Sequence, residues 1–221
     1  MGPWNRAGGS AVPIAQAMRV PLVPHPDSVC DPVRSLYVEV QRLRHGRHVL
    51  RYVIEGDIQH IRFGFHVHNK RLDELWKHTC FEAFLQVEGQ TQYLEFNLST
   101  DGWNCYHFDD YRVGMQQARI FEPRIETSRH EKPLAPGTRA HLTDLDTLDA
   151  YKAPFLMLQA HLELKQRAEL WMGEPWRLGL SAVIEENSGR KSYWALKHAD
   201  GPPDFHRADC FTLELPAARP A

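Results

Sequence analysis

Cysteine is scarce in this chain. Cys30, Cys80, Cys105 and Cys210 are far apart and no CxxC pair occurs, which excludes a zinc knuckle or a dithiol redox motif. They read as reduced, buried thiols. Charge of one sign is also lacking. A formal net charge of -2 over 221 residues supplies no general attraction to nucleic acid or anionic lipid. No apolar run approaches the roughly eighteen residues of a membrane span. Prolines break the opening "MGPWNRAGGSAVPIAQAMRVPLVPHP" where a signal peptide needs a continuous apolar stretch, so the expected location is cytoplasmic. No GxSxG nucleophile motif, Gly-rich flavin or dinucleotide fingerprint, or repeat of fixed period is present.

What the chain does have is alternation. With 43% hydrophobic residues it can bury a sizeable core. Period-two segments recur at 34–43, 48–56, 60–67, 77–85, 93–99, 103–108, 155–165, 176–186, 192–196 and 211–215. About ten short strands predict an all-β antiparallel sandwich. Residues 1–30 read as an irregular N-terminal segment, 31–216 as the sandwich and 217–221 as a tail. The proline-bearing stretch from about 122 to 154 reads as a long excursion, in which only 138–152 has a helical claim.

The segments "KHTCFEAFL" (77–85) and "YLEFNLS" (93–99) define a hairpin. Phe81, Ala83, Leu85 and Val87 share one face, and Leu94, Phe96 and Leu98 share the matching face of the next strand. Turning around Glu88–Thr91 sets Leu85 opposite Leu94 and Ala83 opposite Phe96. The reverse face then pairs Phe84 with Glu95, Glu82 with Asn97, and Cys80 with Ser99. That face carries two carboxylates and an amide, and Trp76 and Trp103 are read as rim residues beside it. A solvated outer sheet face is the alternative reading. A second hairpin turns at Asn187–Gly189, with Trp176, Leu178, Leu180, Ala182, Ile184, Trp194 and Leu196 facing the core.

"LWKHTCFEAFL", "YLEFNLSTDGWNCYHFDDYR", "WRLGLSAVIEE" and "SYWALKHADGPPDFHRADCF" together resemble the bacterial DOMON-like ligand-binding family, related to the family 9 carbohydrate-binding modules. The resemblance implies an immunoglobulin-like β-sandwich with a non-catalytic role, whose relatives bind sugars or haem. Some relatives carry a label tied to UDP-N-acetylenolpyruvoylglucosamine reductase, but the flavin fingerprint that activity requires is missing here.

Carbohydrate recognition needs an aromatic face against apolar C–H patches and carboxylates or amides that bond hydroxyls. Trp76, Glu82, Glu95, Asn97 and Trp103 are the residues expected to bind a sugar-like small molecule. No cofactor is required for that role. Haem is the alternative. Met157 and His161 share one strand face but lie roughly 13 Å apart at about 3.3 Å per residue, too far for one iron. Met115 with His161, or Met172 with a distant histidine, are the remaining pairs. A metal-dependent enzyme is the third reading, resting on His66 and His68, on Cys80 near His78, and on His198 with His206. None has a third ligand at metal-site spacing. Asp204 and His206 in "PDFH" are equally well explained by local hydrogen bonds.

Overall fold

A computed structural model describes residues 17–43, 47–64, 68–132, 153–164 and 174–217. Twelve strands lie within them, all antiparallel: β1 (Met18–Pro24), β2 (Val33–Arg42), β3 (Arg47–Gly56), β4 (Cys80–Val87), β5 (Tyr93–Leu98), β6 (Trp103–Phe108), β7 (Gln116–Gln117), β8 (Arg124–His130), β9 (Phe155–Glu163), β10 (Trp176–Glu185), β11 (Lys191–Ala195) and β12 (Leu213–Leu215). Among the described residues, helical structure is limited to single 3-10 turns at Ile58–His60, Leu75–Lys77 and Ala208–Cys210.

The strand order is β7-β6-β5-β4-β10-β11-β1-β2-β3-β9-β8, with β12 also paired to β10. β1 joins two layers. Its first part pairs with β2, from Met18↔Val40 to Leu22↔Leu36, and its end pairs with β11 at Val23↔Ala195 and Pro24↔Trp194. The sheet therefore curls into a sandwich, with β8, β9, β3 and β2 in sheet A and β11, β10, β4, β5, β6 and β7 in sheet B. Between the layers lies one large core, built from alternate residues of both sheets, among them Val38, Leu50, Tyr52, Leu158, Phe81, Leu85, Phe96, Leu180 and Trp194.

The central hairpin adopts the expected register, with Leu85↔Leu94, Ala83↔Phe96, Phe84↔Glu95 and Glu82↔Asn97. Gly89 takes φ +79° at its turn, which a Cβ would strain. The second hairpin also forms as expected: Glu185 pairs with Lys191, Gly189 takes φ +86°, and Trp176, Leu178, Leu180, Ala182, Ile184 and Trp194 are core residues.

Three elements differ from the expectation. Residues 18–24, inside the stretch read as irregular, form β1: Met18, Val20 and Leu22 of "MRVPLVP" point inward, Pro21 and Pro24 are exposed, and pairing with β2 and β11 holds the strand. Residues 124–130, inside the presumed excursion, form edge strand β8, whose polar sequence hides a strand that buries only Ile125. Conversely, 60–64 is not a strand. It follows a 3-10 turn and makes a single bridge at Ile61↔Glu186. The 138–152 helix and His66 fall outside the described residues.

Candidate functional site

The outer face of sheet B is polar in its middle and aromatic toward one end. Glu82, Glu95 and Asn97 project from it side by side. They are not a wet surface: Glu82 is 3% exposed, Glu95 5% and Asn97 fully buried. Each is held. Asn97 Nδ2 donates to Glu95 Oε1 at 2.7 Å, Ser181 Oγ donates to Glu82 Oε2 at 3.3 Å, and Cys80 Sγ contacts Asn97 Oδ1 at 3.5 Å. Burial raises the pKa of both carboxyls. Glu95 is pushed from its ordinary 4.5 to about 7, with the Asn97 bond working against burial, and Glu82 rises well above 4.5 through burial and the neighbouring Glu95 charge. The Cys80 thiol rises for the same reasons, burial first and then Glu82.

The loop from His198 to Thr212 crosses this face as a strap over Phe84, Tyr93, Phe108 and Glu95. Phe211 stacks on Phe84 with ring centroids 5.5 Å apart, and His206 lies 5.2 Å from Phe84 and 5.1 Å from Phe108. Phe84, Phe108 and Phe211 form a second, smaller apolar cluster with Tyr93 and Tyr106. Gly179 makes room for it: a Cβ there would lie 2.4 Å from the Phe211 ring. Two polar clamps hold the strap. Tyr93 Oη and His206 Nδ1 are 2.8 Å apart, while Asp204 accepts from Tyr111 Oη at 2.6 Å and Arg112 Nη2 at 2.9 Å. His206 Nε2 reaches to 3.9 Å from Glu95 Oε2. Burial, followed by the Arg112 charge, lowers His206 from 6.5 to about 4, which favours the neutral ring.

Beside the strap the face is open. The 3-10 turn Leu75–Lys77, entered through Glu74 at φ +62°, lifts Trp76 to 37% exposure, with its ring 6.0 Å from Tyr106 in an edge-on contact. Tyr106 pairs with Glu95 across β5–β6 and so shares its face. Asp73 Oδ1 accepts three bonds, from Tyr106 Oη at 2.7 Å, Asn104 Nδ2 at 2.8 Å and Gln117 Nε2 at 3.1 Å. Those bonds, led by the one from Tyr106, lower the Asp73 pKa. Its other oxygen accepts nothing among the described residues. An exposed indole thus stands beside an anchored, ionised carboxylate.

The sequence-based set is therefore divided. Glu82, Glu95 and Asn97 are together but sealed, and Trp76 is at the open margin. Trp103 is on the opposite side of the sheet: it pairs with Leu98, shares its inward face, is 4% exposed, and carries the Arg71 guanidinium 4.3 Å over its ring. Strand alternation, which puts Tyr106 outward, puts Trp103 inward. Asp73 and Gln117 were missed, since Asp73 lies in an aperiodic segment and β7 is two residues long. Tyr106 had a signal, being in phase with Glu95.

The other donors do not converge. Met115 is exposed before β7 in sheet B, whereas His161 on β9 in sheet A bonds Gln159. Met172 is outside the described residues. His78 lies against Glu185 and Arg62 rather than Cys80. His198 bonds the Val23 carbonyl and stacks edge-on with His25, and the His206 N–H bonds Asp204 locally. Among the described residues no three His, Cys, Asp or Glu side chains gather as metal ligands, and no helix is long and apolar enough to cross a membrane.

No protein-family model and no curated protein matches the chain. A solved structure does. A protein from Bacteroides uniformis ATCC 8492, described as a "putative carbohydrate-binding protein", superposes with a TM-score of 0.61 over 91% of this chain and 87% of that one, at 12% identity. The two share a fold.

Proposed function

We propose that this chain is a non-catalytic carbohydrate-binding domain whose site is the open margin of sheet B around Trp76 and Asp73. The observation that carries the reading is the exposed Trp76 ring beside a carboxylate held by three hydrogen bonds. The ring offers an apolar face to sugar C–H groups, and Asp73 Oδ2 offers a charged acceptor to a hydroxyl. Gln117 and the Tyr106 hydroxyl stand next to it. Glu95, Asn97 and Glu82 form a buried polar layer on the same face, with Glu95 opposite Tyr106 in the β5–β6 register. The likeness to a protein described as carbohydrate-binding supports this reading, as does the resemblance to DOMON-like domains and family 9 modules.

Calorimetric titration with a panel of neutral hexoses, N-acetylated sugars and sugar nucleotides tests it. Asp73→Asn keeps the shape and removes the charge. Charge-assisted bonds contribute roughly 1.5 to 3 kcal/mol, so affinity should fall about ten- to a hundredfold. Trp76→Ala should weaken all pyranosides alike. Should no sugar bind the wild type at millimolar concentration, or both variants bind unchanged, the proposal fails.

A further inference from the structure

At the end of the sandwich where β4 begins and β5 ends, a cleft of about 360 Å³ opens. That is within the range of small-molecule sites, roughly 300 to 1,000 Å³. Its floor is apolar, formed by Ile61 and Phe63, which are 2% and 8% exposed. Two guanidinium groups line it from different elements. Arg129 comes from the inward face of β8, in register with core residue Leu156, and its side chain is only 18% exposed, with Nε 3.6 Å from Glu131 Oε1. Arg62 comes from the segment after β3. Its backbone N–H bonds the Glu185 carbonyl at 2.8 Å, next to the Ile61↔Glu186 bridge, so the base of the side chain is fixed.

Donor capacity remains in the cleft beside the Asp101 carboxylate and the Asn187 amide. Arg62 uses Nη1 alone, against Glu185 Oε2 at 3.1 Å and His78 Nδ1 at 3.0 Å, which leaves Nε and Nη2 uncommitted among the described contacts. Glu185 is shared with His78, whose Nδ1 is 2.8 Å from the same oxygen, so Arg62 is held without being fully occupied. Thr100 Oγ1 accepts from the Gly64 N–H at 3.1 Å, and its hydroxyl proton is free to donate. Among the described lining residues Asp101 is the one carboxylate, against two arginines. A ligand for such a surface must bring acceptors, and a guanidinium fork matches a planar or tetrahedral oxyanion.

We propose that this cleft is a second binding site, for a small molecule of monosaccharide size bearing a carboxylate or phosphate, with the oxyanion on Arg62 and Arg129 and the apolar ring face on Phe63. It is independent of the Trp76 site, whose spare group is an acceptor.

Calorimetric titration with glucuronate, glucose 6-phosphate, inorganic phosphate and glucose tests it, using the whole chain and the variants Arg62→Gln, Thr100→Val and Trp76→Ala. At least one of the three anions should bind more tightly than glucose, and that affinity should weaken with added salt. It should fall about tenfold or more in Arg62→Gln and fall less in Thr100→Val, while the excess of anion over glucose affinity persists in Trp76→Ala. Glucuronate alone identifies a carboxylate ligand; glucose 6-phosphate with inorganic phosphate identifies a phosphate. If Arg62→Gln does not fold, Thr100→Val decides. The proposal is overturned if no anion binds at millimolar concentration, if glucose binds as well as the anions, or if neither cleft variant loses affinity. Loss in Trp76→Ala alone would assign the binding to the sheet B margin and overturn the cleft site while leaving the carbohydrate reading intact.

Discussion

Glu82 and Glu95 are two carboxyls that the fold keeps out of water, and that fixes how stability responds to pH. The unfolded chain releases their protons near 4.5, whereas the folded protein holds the Glu95 proton to about 7 and the Glu82 proton well above 4.5. Groups with raised folded pKa values contribute stability that is full below about 4.5 and is lost as pH rises through the folded values. His206 has the opposite sign. Its folded value is lowered from 6.5 to about 4, so the stability tied to its neutral ring is full above 6.5 and is lost as pH falls through about 4. Glu82→Gln keeps the shape and the Ser181 bond while removing one ionisation. Its urea midpoint should match wild type below about pH 4 and exceed it increasingly toward pH 8. A difference that stays flat with pH would show that Glu82 ionises as freely folded as unfolded. The alternation of "FEAFLQV" and "YLEFNL" disclosed that Glu82, Glu95 and Asn97 share a face. That the face is buried depends on the strap, more than a hundred residues downstream, which no local pattern reveals.

At the scale of elements, strands with a strong two-residue period were legible and those without were not. The β4–β5 hairpin has an apolar face on every second residue, so a one-residue slip would expose the whole set and the register is determined. Leu85→Ala or Phe96→Ala, at 2% and 0% exposure, should cost on the order of 2 to 5 kcal/mol through lost burial and a cavity, read as a lower denaturant midpoint. Unmoved midpoints would contradict the inward assignment. By contrast, β8 is an edge strand of "RIETSRH" with one buried apolar residue, and β1 carries two prolines, so tertiary pairing rather than local pattern made both. The strap is likewise held by distant contacts, and Gly179 is where it can be tested. Valine there would press into the Phe211 ring, an overpacking worth about 1 to 3 kcal/mol. Amide exchange across 204–211 should quicken in Gly179→Val while the strands of sheet A keep their protection. Equal exchange in both proteins would mean that Phe211 does not seat the strap.

For the whole molecule, curling one antiparallel sheet into two layers leaves the outer face of sheet B to be divided between a sealed strip and an open margin. Composition and alternation were enough to read the sandwich, because a buried core imposes them along the entire chain. The margin was only half legible. Trp76 was recognised, but Trp103 was placed on the wrong side, since a tryptophan after a turn resembles a rim residue until its pairing with Leu98 is known. Asp73 gave no signal because its partners, Asn104, Tyr106 and Gln117, are assembled by the fold. The most direct test of the carbohydrate reading is a nitrogen–proton correlation spectrum of the wild-type chain titrated with the sugar that binds most tightly by calorimetry. The account predicts that the Trp76 indole N–H and the amides of Asp73 and Gln117 shift together in a saturable way while the Trp103 indole N–H stays in place. Saturable shifts centred on other residues with Trp76 unmoved, or no shifts with any sugar of the panel, would contradict it.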